Sequence, residues 1–153
     1  MFKDALTELA SLNVSGVNAN YAIDAVPETI HRGQLPVLLV LPVETEATRS
    51  QRLFPERGGG FETIGFADGV RTVTYSVTHL LLLTPTTTGR GLRDHLPDVV
   101  DLIDAYFSAL AATVTLNGRL VEPTRVRVDP GTFTHNTVTY IGCAFRHTWV
   151  VQL

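Results

Sequence analysis

The sequence predicts an α+β fold: a single mixed, mostly antiparallel β-sheet, one long helix packed on one face, and a short N-terminal helix. Three observations predict it. Residues 70–84 alternate with period two: Val73, Tyr75, Val77, His79, Leu81 and Leu83 share one side, and Thr72, Thr74, Ser76 and Thr78 share the other. That is a strand with an apolar face and a hydroxyl-rich face. Leu92, Leu96, Val99, Ile103, Tyr106 and Leu110 recur at helical spacing. Strands and helices do not alternate strictly along the chain, which argues against a parallel doubly wound sheet.

Phe2, Ala5, Leu6, Leu9 and Leu12 fall three or four residues apart and predict the opening helix, with Lys3, Asp4 and Glu8 on its wet side. Tyr21, Ile23 and Ala25 alternate with Ala22 and Asp24, which suggests a short strand ending at Pro27. The apolar run 35–42, carrying Pro36 and Pro42, reads as a short strand buried on both faces. Residues 43–62 fit no period, carry Arg49, Arg52 and Arg57, and include Gly58-Gly59-Gly60. So long a stretch without structure inside a domain points to a mobile, functional loop.

Phe61, Thr63 and Gly65 open the next strand, and Ala67-Asp68-Gly69 is a hairpin turn leading into 70–84. Residues 85–91 link to the long helix. Pro97 is expected in that helix's first turn, so its regular part begins near His95 or Leu96. Asn117-Gly118 between 114–116 and 119–121 predicts a hairpin. Val126 and Val128 lead to a second turn at Asp129-Pro130-Gly131. A last strand, about 137–151, puts Ile141, Cys143, Phe145, His147, Trp149 and Val151 on its apolar face.

With 44% hydrophobic and 18% charged residues over 153 positions, the chain can build one core, and a single domain spanning 1–153 is expected. A net charge of −3 gives no sign of nucleic-acid binding through bulk positive charge. One cysteine supports neither an intrachain disulfide nor a four-thiolate zinc site, and fits a reducing cytosol. The N-terminus does not resemble a signal peptide, and the longest apolar runs are too short to span a bilayer. A soluble chain is therefore expected, with no membrane partner.

Each chemically suggestive group has a plainer reading beside it. No two of His31, His79, His95, His135 and His147 lie three to five residues apart, so metal spacing is missing. His79 and His147 meet only if their strands are neighbours; the plain reading is two partly buried imidazoles with hydrogen-bond partners. Cys143 is a nucleophile beside a histidine or, between Gly142 and Ala144 on an apolar face, an inert core thiol. Gly89-Arg90-Gly91 follows a strand and precedes a helix but lacks the rest of a phosphate loop. Asp94, Asp98, Asp101 and Asp104 line a solvated helix face, while Arg49, Arg52 and Arg57 either grip an acidic or phosphate-bearing partner or merely solubilise the loop. No catalytic residue, cofactor or metal site is assigned, and the chain does not read as an enzyme.

The order of elements resembles the tail terminator proteins of long-tailed bacteriophages. It is carried by the opening helix 1–12, the proline-flanked strand 35–42, the long loop and hairpin, the long helix, and the closing strand Tyr140-Ile141-Gly142-Cys143-Ala144-Phe145-Arg146-His147-Thr148-Trp149-Val150-Val151. The likeness covers nearly the whole chain in element order and texture, and other head–tail connector components share much of it. It implies a virion protein, assembled in the host cytoplasm, that forms a closed ring, typically a homohexamer. The ring caps the tail tube, meets the tube protein and the head connector proteins, and lets DNA pass without sequence readout. The candidate assembly loop is then Arg49, Arg52, Phe54, Arg57 and Phe61, and the candidate subunit-interface face is Thr72, Thr74, Ser76 and Thr78. Two other readings stand beside it: a small-molecule-binding or enzymatic α+β domain with its site between helix and sheet, and a dimeric regulatory module.

Overall fold

The computed structural model describes residues 1–42, 60–66, 71–87 and 91–152. Within them runs one six-stranded sheet, ordered β1-β2-β4-β6-β5, with β3 also paired to β4. Its strands are β1 (Ala19–Tyr21), β2 (Val37–Leu41), β3 (Gly60–Phe66), β4 (Arg71–Pro85), β5 (Arg125–His135) and β6 (Val138–Gln152); its helices are α1 (Phe2–Ala10) and α2 (Leu92–Ala111). Only β1 and β2 pair in parallel; every other pair is antiparallel. The α+β class, with one long helix and a short first helix, is the predicted one.

β4 and β6 form the spine, paired from Thr72 opposite Gln152 to Pro85 opposite Tyr140, with one shift of register between Leu82 and Thr84. The other edge of β4 is shared end to end by β2, which leaves at Leu41 opposite Thr78, and β3, which enters at Gly60 opposite Ser76. The expected loop 43–62 therefore ends sooner, because Gly60, Phe61 and Glu62 already belong to β3. Arg49, Arg52, Phe54 and Arg57 lie outside the described residues, as do the expected turn at Ala67-Asp68-Gly69 and Gly89-Arg90.

Alternation along the spine sorts its side chains to two sides. On the first, Val73, Tyr75, Val77 and Leu81 of β4 and Ile141, Cys143, Phe145, Trp149 and Val151 of β6 pack beneath Leu6 and Leu9 of α1 and Val99, Leu102, Tyr106 and Leu110 of α2. On the second, Leu80 and Leu82 join Val37, Leu39 and Leu41 of β2, Phe133 and Tyr140, closed over by Ile30, Val26 and Leu35. β2 thus sends Leu38 and Val40 one way and its other three residues the other, all five buried, as its unbroken apolar run predicted. The backbones of β4 and β6 approach closely at Gly142, where a Cβ would collide with the Leu81 carbonyl oxygen.

Several local expectations are corrected. The first strand is Ala19–Tyr21; residues 22–25 turn away and Ile23 is exposed. α2 begins at Leu92, so Pro97 sits in its second turn, on an exposed surface where solvent can serve the carbonyl it leaves without a donor. Leu92 and Leu96 lie outside the core, and Leu102 is buried in it. Asn117-Gly118 does not close a hairpin: 112–122 is a run of turns and bends in which Leu116, Asn117 and Gly118 all take positive φ. Leu116 is drawn fully into the core, and Asn117 is tied to Glu8 of α1 at 2.6 Å. Asp129-Pro130-Gly131 does not turn either. It continues β5, which among the described residues has a neighbour on one side only, where proline's missing N–H is tolerated. The β5–β6 hairpin turns instead at Asn136-Thr137, both with positive φ.

Candidate functional site

Burying polar groups in an apolar core is unfavourable unless each finds a partner. Among the large side chains that carry them in the first core are His79, Tyr106 and His147, all fully buried. β4 and β6 are neighbours, with His147 opposite Val77 and Phe145 opposite His79, so the two imidazoles face the same side of the sheet. Tyr106, at the middle of the α2 core face, reaches down between them. Its hydroxyl lies 2.9 Å from His79 Nδ1 and 2.6 Å from His147 Nε2. Its ring stacks on Phe145 at 3.6 Å between centroids, 7° from parallel.

The chain of bonds runs on at both ends. His79 Nε2 is 2.8 Å from Asn20 Oδ1, and the Asn20 amide donates to the carbonyls of Leu9 and Leu12 at 3.2 and 3.1 Å. His147 Nδ1 is 2.9 Å from Thr124 Oγ1. One line of hydrogen bonds thus joins the end of α1, β1, β4, α2, β6 and the approach to β5.

Burial sets the electrostatics here. It holds His147 down at about 3, and it holds His79 well below the usual imidazole value with help from neighbouring His147. Burial also pushes the Tyr106 hydroxyl well above the usual phenol range, with a smaller push from Cys143. The Cys143 thiol is raised by burial to about 12, so at neutral pH it is a protonated core group. Neutral imidazoles and a neutral phenol are what such a line of bonds requires.

The plain reading of the two histidines is therefore the observed one, except that both are wholly rather than partly buried, and the strand adjacency on which their meeting depended is present. Among the described residues, no three His, Cys, Asp or Glu side chains gather to hold a metal. Asp94, Asp98, Asp101 and Asp104 lie exposed along α2. Of the candidate interface residues, Thr72, Thr74 and Ser76 are half-buried on the second side of the sheet. Thr78 is wholly buried, 3.5 Å from the Arg146 guanidinium, and does not belong to an exposed face. Phe61 takes its place in the β3 ladder opposite Tyr75.

Two groupings escaped the sequence reading. Asn20, Thr124 and the Tyr106 hydroxyl complete the histidine line; the signal was a polar ring at a helical core position facing two histidines at strand core positions. Arg146 Nε meets buried Asp129 at 2.8 Å and Arg127 meets it at 3.4 Å. That pairing stayed hidden while Asp129 read as a turn residue. The second side of the sheet so divides in two. One half is apolar, closed over by residues around Ile30. The other is polar, carrying Thr72, Thr74 and Ser76 beside half-buried Thr148 and Val150 and exposed Gln152.

No known protein-family model matches the chain, and no curated protein matches it. Among the described residues, no helix is long and apolar enough to cross a membrane.

Proposed function

We propose that this chain is a structural subunit of a bacteriophage virion, of the tail terminator kind: copies close into a hexameric ring that caps the tail tube and offers a seat for the head. The observation that carries this reading is the polar half of the second sheet side. It is rich in hydroxyls and flanked by the Arg146–Asp129 pair. A ring needs two different surfaces of one subunit to meet. The sheet offers such a pair in this polar half and in the opposite side, which the helices cover. Between helix and sheet, where a ligand-binding or enzymatic domain of this class would place its site, Tyr106 is stacked on Phe145.

Light scattering on the purified chain, alone and mixed with a tail-tube protein, tests the reading. The expected particle is about 100 kDa, six copies of the 16.7 kDa chain. Thr74→Arg, placed on the polar half, should lower the assembled fraction at least tenfold while leaving the thermal melt of the subunit within a few degrees. A monomer at every concentration and in every mixture sinks the proposal. A ring that tolerates Thr74→Arg moves the interface elsewhere.

A further inference from the structure

The buried line of hydrogen bonds has a direction, and its Asn20 end sets it. The Leu9 and Leu12 carbonyls only accept, so the Asn20 amide nitrogen faces them and its Oδ1 must accept. His79 therefore donates from Nε2 to Asn20, which leaves its Nδ1 bare to accept from the Tyr106 hydroxyl. With its own hydrogen spent, the Tyr106 oxygen accepts from His147 Nε2. His147 Nδ1 is then an acceptor, and the Thr124 hydroxyl donates to it at 2.9 Å; the alternative acceptor, the Arg125 carbonyl, is 3.5 Å away. At the far end of the line, the Thr124 oxygen has only lone pairs left to offer.

Thr124 lines a groove of about 360 Å³ at the rim of the helix–sheet interface, and its side chain is the only polar one there. The walls are Phe107, Leu110, Ala111, Val114 and Val126. Phe107 and Val114 stand exposed on the rim, and the apolar surface continues along α2 through Val100 and Leu96. A volume at the small end of the range for ligand pockets fits one aromatic side chain better than a cofactor. An apolar strip running several helical turns marks a protein contact.

We propose that this groove docks a tryptophan or tyrosine side chain of a partner protein other than this chain, its N–H or O–H donating to Thr124 Oγ1 while its ring packs against Phe107 and Val114. A second copy is a poor source. The chain has one tryptophan and four tyrosines; Trp149, Tyr75, Tyr106 and Tyr140 are buried, and the half-buried Tyr21 packs against the second core. The inference does not depend on the ring reading, since it rests on the orientation of the bonds and on the lining of the groove.

Two probes of one shape separate the hydrogen bond from the apolar contact: indole, which has an N–H, and benzothiophene, which has none. Titrated into the full chain and followed by amide chemical shifts, indole should move Phe107, Val114, Thr124 and Val126 and bind roughly three- to tenfold tighter than benzothiophene. Thr124→Val should equalise the two. Val114→Asp, on the exposed rim, should abolish both without lowering the thermal melt. Equal affinity for the two probes in the native chain overturns the proposal, as do shifts that cluster elsewhere or indole binding that survives Val114→Asp.

Discussion

The hydroxyl of Tyr106 is the one atom that both buried histidines share. Phenylalanine would keep the ring and its stacking on Phe145. It would also strand an acceptor on His79 and a donor on His147, both fully buried. A buried polar group left without a partner costs on the order of 1–3 kcal/mol. Tyr106→Phe should therefore destabilise the fold by about 2–4 kcal/mol, read as a lower denaturant midpoint at unchanged slope. A loss under about 0.5 kcal/mol would mean that these hydrogen bonds contribute nothing net. His79 and His147 were legible as core residues because the strand pattern placed them on apolar faces. Their partners were not, because a line of hydrogen bonds through six separate segments leaves no local trace.

The β5–β6 hairpin shows where element-level reading failed. Asn-Gly at 117–118 and Asp-Pro-Gly at 129–131 carry the strongest turn chemistry in the second half of the chain, yet neither closes a hairpin. Positive φ at Asn117 and Gly118 is what that dipeptide favours. What the dipeptide does not encode is that Leu116 is pulled into the core instead of pairing across a ladder. Pro130 breaks no strand because β5, among the described residues, has a neighbour on one side only, and strand order is a tertiary fact. The turn that does form uses Asn136-Thr137 and puts a β-branched residue at φ 70°. A left-handed conformation costs a non-glycine residue about 1–2 kcal/mol, and glycine returns part of that through a freer unfolded chain. Thr137 is exposed, so Thr137→Gly removes little packing. It should raise stability by about 0.5–1 kcal/mol, measured by thermal or urea unfolding. A destabilised variant would show that Thr137 is not strained.

Across the whole fold, the alternation of β4 and β6 and the helical stripe of α2 were readable because one period governs many residues at once. The second core was only half readable: the run in β2 announced burial on both faces, but nothing local said that residues around Ile30 would supply the other cover. One consequence belongs to the molecule as a unit, because the histidine line joins α1, β1, β4, α2 and β6. His147 titrates at about 3 when folded and near its ordinary 6.5 when unfolded. Between those values the unfolded chain binds the extra proton, so stability is fully present above about pH 6.5 and is lost as pH falls toward 3. His79 is shifted the same way and adds to the loss. Each unit of pH below 6.5 costs about 1.4 kcal/mol for His147 alone, or roughly 3 kcal/mol by pH 4.5. That is a large share of the ~5–15 kcal/mol that holds a domain folded. Urea unfolding at pH 7.5 and pH 4.5 should show the midpoint falling steeply. His147→Leu should make the slope shallower, since it removes one of the two groups that titrate while leaving Tyr106 its bond to His79. A midpoint that does not move between the two pH values would mean that these imidazoles are not held neutral by burial.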